Sequence, residues 1–176
     1  NIYHVDSIIF KNKIYFAQVH QYALPPFEVA HEGRVFCSRT VKEGSSDKKN
    51  LLKINKSVIK SLGLRKGVSH TEFIKSKDGK FYFLETSARV GGANISDLVE
   101  RASGINMWKE WAILENLDED DEYNFPEIRK DYAGIIISLA KQKHPDLIKY
   151  DDKSVVWKLD KEFHAGLIIV DENYDN

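Results

Sequence analysis

Glu72 and Glu85 stand on either side of an Asp78-Gly79 pair. Asp-Gly is among the strongest two-residue hairpin signals, and a two-residue loop makes Lys77 the partner of Lys80. That register sets Glu72 directly opposite Glu85 and His70 opposite Ser87. Because strand side chains alternate, all four share one face of the hairpin. Carboxylates directly opposite one another repel, so the pair implies something positive between them: an Arg, a Lys or a divalent cation. One or two carboxylates completed by water and substrate phosphate is the Mg²⁺ pattern. Arg89 lies two residues beyond Ser87. Gly91-Gly92-Ala93 then runs into a helix start near Asn94, where free backbone N–H groups favour anions. This combination suits metal-assisted handling of a phosphate group. The alternative is a solvated acidic pair with Lys75 or Lys80 nearby, and a bulge would change the register.

The elements that must position these groups follow from pattern. Residues 2–10 and 14–20 are rich in β-branched and aromatic side chains, with Lys11-Asn12 between them as a tight turn. Pro25-Pro26 breaks the chain, and His31-Glu32 fall in a loop. Residues 33–41 read as a strand and 44–49 as a polar loop. Residues 51–62 read as an amphipathic helix stopped by Gly63. The 68–74 and 80–86 strands form the hairpin. A helix from Asn94 carries Ile95, Leu98, Val99 and Ala102 on one face, and Asn106 caps a second helix bearing Met107, Trp108, Trp111 and Leu114. Trp108, Trp111 and Trp157 are expected in packing roles. Residues 117–124 form an acidic connector, and 132–140, 154–159 and 165–170 read as short strands. The pattern gives an α+β class in two units, 1–116 and a small β-rich extension over 117–176.

The bulk properties narrow the function. The chain has 176 residues, 42% of them hydrophobic, and a formal net charge of −1. No net field draws it to nucleic acid or to an anionic membrane. No apolar run approaches the roughly 18–20 residues of a membrane-spanning helix. Cys37 is the single cysteine, so no internal disulfide exists, and a reducing, cytoplasmic setting is expected. Its strand-like surroundings mark it as packing. His20, His31, His144 and His164 are scattered without metal-ligand spacing. The chain opens without Met in a strand-like run, which suggests a segment of a longer polypeptide.

His70-Thr71-Glu72-Phe73, the Asp-Gly turn, and the stretch from Phe83 through Glu85-Thr86-Ser87-Ala88-Arg89 to Gly91-Gly92 resemble the signature of the ATP-grasp superfamily. That superfamily places one Glu on the first strand and Glu-x-Asn-x-Arg on the next. The resemblance implies that Glu72, Glu85 and Ser87 are Mg²⁺ (or Mn²⁺) ligands, with Ser87 standing where the family has Asn. It implies that Arg89 contacts the transferred phosphoryl group or a carboxylate. His4, His70, Gly91, Gly92 and Asn94 become ATP-side residues, His4 by its place in a strand similar to one of the amino acid ligase branch. The implied fold is an ATP-grasp C-terminal subdomain, an antiparallel sheet packed with helices. The implied activity is an ATP-dependent carboxylate-amine (or carboxylate-thiol) ligase acting through an acyl phosphate. A non-catalytic binding module and a bicarbonate-using, biotin carboxylase-like enzyme are the alternatives. The resemblance also implies small carboxylate and amine substrates and N-terminal lobes that complete the nucleotide site, so activity from this chain alone is not expected. A homodimer is compatible with it.

Overall fold

The computed structural model describes residues 1–175. Eight strands form one sheet: β1 (Ile2–Phe10), β2 (Lys13–Tyr22), β3 (Phe36–Thr40), β4 (Gly67–Lys75), β5 (Phe81–Ser87), β6 (Tyr132–Leu139), β7 (Val155–Lys158) and β8 (His164–Asp171). Their order is β5-β4-β1-β2-β3-β6-β8-β7, and every described pairing is antiparallel. The sheet runs unbroken from the hairpin β4–β5 into the C-terminal strands, because β3 pairs with β6. Four helices accompany it: α1 (Pro26–Glu32), α2 (Ser46–Ser61), α3 (Ile95–Ser103) and α4 (Met107–Glu115). The chain is thus α+β, as its pattern indicates.

Alternation along β1 divides the core in two. Tyr3 and Val5 meet Leu51 of α2, with Val19, Val41 and Phe73. Ile8 and Phe10 point the other way and pack with Phe16, Val68 and the apolar stripes of α3 and α4, including Ile95, Val99, Met107 and Leu114. A third cluster joins Leu98 and Ala102 of α3 to Ala133, Ile135 and Ile168. The α3 stripe therefore fastens β6 and β8 to the rest of the sheet.

Two expectations are corrected. Residues 26–32, expected as broken chain and loop, form α1: Pro26 stands at a position where a missing N–H costs nothing. Residues 46–49 belong to α2 rather than to a polar loop, because the Ser45 side chain accepts from the Lys48 N–H and caps the helix earlier. Trp108, expected to pack in the core or along its helix, is 55% exposed and stacks on Trp111 of the same helix.

Candidate metal and phosphate site

The hairpin does set Glu72 opposite Glu85 and His70 opposite Ser87. The route to that register differs from the simple turn argument. Near the turn the partners are Lys75 and Phe81, then Ile74 and Tyr82, then Phe73 and Phe83. The turn itself is wider than two residues: Ser76 N–H donates to Lys80 O, and Gly79 N–H donates to Ser76 O. A bulge between Glu72 and Phe73, with Leu84 as the extra residue on β5, then shifts the register by one. The two irregularities offset each other at the carboxylates. Phe73 and Phe83 remain on the α2 side, in edge-to-face contact, while Glu72 and Glu85 face the opposite side.

A second bulge builds the floor beneath them. Phe10 pairs with Lys13 and Ile9 with Ile14, but Ile8 pairs with Phe16, leaving Tyr15 as the extra residue on β2. This shift sets His4 opposite His20 and turns Gln18, His20 and Tyr22 toward the side of His4 and Asp6. A bulge-free continuation of the turn would have presented Val19 there instead. On the other flank of β1, Glu72 is opposite His4 and His70 opposite Asp6. Asp6, His20, Tyr22 and Ser38 are the site residues that sequence patterns alone passed over. The usable signal was the alternation of His4 with Asp6 and of His20 with Tyr22, legible only once the β1–β2 register is known.

These side chains form a buried hydrogen-bonded network. Asp6 is almost fully buried and accepts from two histidines, His4 Nδ1 and His70 Nδ1, each at 2.8 Å. The outer nitrogen of His4 meets Ser38 Oγ at 2.8 Å. Tyr22 OH donates to Glu72 Oε1 at 2.8 Å, and His70 Nε2 lies 3.4 Å from the same oxygen. The rings of His20 and Tyr22 pack on that of His4, at centroid distances of 4.9 and 4.7 Å.

The electrostatics follow from these contacts. Burial disfavours charge on His4 and outweighs the attraction of Asp6, lowering its pKa to about 4. Burial lowers His20 as well. For His70, burial acts downward, but the carboxylates of Asp6 and Glu72 prevail and lift it to about 9. Burial alone would raise Asp6; the flanking histidines instead hold it well below the usual carboxylate range. Glu72 follows the same logic, with hydrogen bonds from His70 and Tyr22 outweighing its burial.

Above this floor the predicted residues sit in different settings. Glu85 is exposed, and its carboxylate forms no hydrogen bond or ion pair with any described residue. Ser87 is half-buried on the same face. The exposed Arg89 folds back to donate from Nη1 to Val90 O at 2.8 Å. Gly91 is buried against the floor: a Cβ there would stand 3.0 Å from His70 Nδ1 and 3.1 Å from Asp6 Oδ1. Gly92 opens to solvent. Ala93 and Asn94 both adopt positive φ, at 49° and 59°, as the chain swings into α3. The Asn94 side chain donates to Asp97 rather than capping the helix. His4 and His70 lie under this loop with their ring nitrogens turned to protein partners.

Two carboxylates facing each other, with only hydrogen-bonding groups behind one and nothing paired to the other, fit a divalent cation with oxygen ligands. This antiparallel sheet, with Glu72 and Glu85 opposed across β4 and the edge strand β5 and a glycine loop entering α3, has the fold of solved ligase structures. The crystal structure of L-amino acid ligase from Bacillus licheniformis matches 99% of this chain with a TM-score of 0.75 at 16% identity. Phosphoribosylglycinamide synthetase from Anaerococcus prevotii matches 99% of it with a TM-score of 0.65 at 15% identity. The chain covers 47% and 49% of those structures, respectively. Among curated proteins, the L-arginine-specific L-amino acid ligase of Bacillus subtilis is 22% identical over 107 residues, 61% of this chain and 25% of that protein. The chain therefore spans about half the length of these solved structures and a quarter of the curated relative. No family model matches it. No helix among the described residues is long and apolar enough to cross a membrane.

Proposed function

We propose that this chain supplies the metal- and phosphate-binding part of an ATP- and Mg²⁺-dependent ligase that joins a carboxylate to an amine, or to a thiol, through an acyl phosphate. The observation that carries the reading is the Glu72–Glu85 pair, opposed across β4 and β5 beside the loop from Arg89 to Asn94. Glu72, Glu85 and Ser87 hold the cation. A Mg²⁺ ion held by these residues would supply charge neutralisation for the ATP phosphates. Tyr22 and His70 fix the Glu72 carboxylate from behind. Arg89 swings from its loop carbonyl to the transferred phosphoryl group or the substrate carboxylate. The backbone of Gly92 and the start of α3 receive phosphate oxygens. Phosphoryl transfer asks mainly for positioning and charge neutralisation, which these groups offer. The lobes that close over ATP and select the substrates belong to the remainder of such an enzyme. Its location in the cytoplasm is part of the same proposal.

The test is ADP release by the ligase that carries this chain, with a carboxylate present and an amine added or withheld. ADP release that depends on the amine supports the reading. Release that depends on bicarbonate instead assigns the chain to biotin carboxylase-like chemistry. Glu85→Gln is expected to lower turnover by about 10²-fold or more; nearly intact ATP consumption would remove the metal assignment. A second reading, a non-catalytic ATP-binding module, is favoured by Ser87, whose hydroxyl is a weaker ligand than the amide oxygen of Asn. Nucleotide binding without turnover would support it.

A further inference from the structure

The floor of the site contains a second constellation that the ligase reading does not use as a ligand set. His4, Asp6 and His70 are buried, and each offers a ligand atom within 4.8 Å of the other two. They come from two adjacent strands: His4 and Asp6 are same-face neighbours on β1, and β4 brings His70 opposite Asp6. Both histidines present Nδ1 to the carboxylate. Their outer nitrogens are held by further partners, Ser38 Oγ at 2.8 Å and Glu72 Oε1 at 3.4 Å. An imidazole whose far nitrogen is fixed by a hydroxyl or carboxylate is the usual support of a metal-bound histidine.

His20 is the independent observation. It is 0% exposed, yet neither ring nitrogen has a hydrogen-bond partner among the described residues. Leaving buried polar atoms unpaired costs about 1–3 kcal/mol each. Its Nδ1 lies 3.7 Å from Asp6 Oδ2, the oxygen that His4 Nδ1 contacts, while His70 Nδ1 contacts Oδ1. Three imidazoles around one buried carboxylate call for a ligand that accepts nitrogen donors.

We propose that His4, Asp6 and His70, with His20 as a fourth donor, form a structural site for a transition-metal ion of the Zn²⁺ or Co²⁺ type. Imidazole-rich sets favour such ions, whereas Mg²⁺ takes oxygen. Asp6 ligates and Glu72 stands behind His70, so two carboxylates balance a divalent charge. All four donors are buried or nearly so, which leaves no substrate position and makes the ion a tie between β1, β2 and β4. The site is distinct from the exposed edge at Glu85, and the metal there serves architecture rather than phosphoryl transfer.

The test is Co²⁺ titration of the chelator-treated chain in excess Mg²⁺, followed by its ligand-field absorption and by competition with Zn²⁺. About one Co²⁺ per chain, in an intense low-coordinate spectrum displaced by Zn²⁺, is expected. Ser38→Ala leaves every donor in place and should weaken Co²⁺ affinity about 10–100-fold by releasing the outer nitrogen of His4. His20→Ala should change the spectrum itself. Saturating Mg²⁺, which fills the oxygen-rich Glu85 edge, should leave this Co²⁺ band in place, which separates the two sites. Two results would overturn the proposal. One is a wild-type chain that takes up no Co²⁺, as a network held by protons alone would behave. The other is Co²⁺ binding untouched by both Ser38→Ala and His20→Ala.

Discussion

Glu72 owes its orientation to two contacts, the Tyr22 hydroxyl and the His70 ring, both on one of its oxygens. Tyr22→Phe removes a buried hydrogen bond to a charged acceptor while keeping the ring. It should cost about 1.5–3 kcal/mol in urea unfolding and weaken Mg²⁺ binding at the hairpin. An unchanged unfolding midpoint would mean that Tyr22 does not hold the carboxylate. The glycine loop gives a paired comparison. Gly91→Ala drives a methyl against Ile95, His70 and Asp6 at 2.9–3.1 Å and should destabilise by about 1–3 kcal/mol. Gly92→Ala meets open space and should stay within about 0.5 kcal/mol of the parent. Equal effects at the two positions would contradict the packing of this loop. At this scale the sequence made the opposition of Glu72 and Glu85 readable through the hairpin between them. It gave Asp6 and Tyr22 no role and set His20 among scattered histidines, because a bulge at Tyr15 decides which face β2 presents and an extra residue leaves no mark in alternating hydrophobicity.

Among the elements, α3 is the one that couples the site to the far side of the sheet. Its first turn follows the glycine loop, and Leu98 packs with Ala133, Ile135 and Ile168 of β6 and β8. Leu98 is fully buried, so Leu98→Ala should cost about 2–5 kcal/mol by calorimetry or denaturant titration. A loss below that range would mean that α3 does not carry the β6–β8 contact. The helical stripe of α3 and the strands β6, β7 and β8 were legible because periodicity is a strong signal over such lengths. The start of α2 was not, since its cap is a single serine in a polar stretch that also reads as loop. Helix α1 was missed because a proline pair suggests a break, although proline suits a first helical turn. The Glu72–Glu85 register was reached correctly from an Asp-Gly turn whose actual width and compensating bulge lie beyond what a dipeptide signal encodes.

The whole molecule is one continuous sheet with a polar cluster inside it, and that cluster gives stability a pH dependence. His4 and His20 have pKa values lowered by burial, His4 to about 4. In the unfolded chain both titrate near the ordinary value of about 6.5. Below that value the unfolded state binds more protons than the folded one, so stability falls as pH falls from about 6.5 toward 4. Thermal unfolding of the chelator-treated chain at pH 7 and pH 5 should show the lower midpoint at pH 5. The loss should shrink in His20→Ala when each protein is compared with itself. A midpoint equal or higher at pH 5 would contradict the burial of neutral histidines.

The central claim is that the two opposed glutamates hold a divalent cation through oxygen. Mg²⁺ titration of the ¹⁵N-labelled chain, in the presence of ATP, tests it most directly. The expected result is that amide resonances of Glu72, Glu85 and Ser87 shift together and saturate, and that Glu85→Gln abolishes those shifts while the remaining spectrum keeps its dispersion. Shifts confined to the acidic connector at residues 117–124, or shifts at the hairpin that persist in Glu85→Gln, would contradict it.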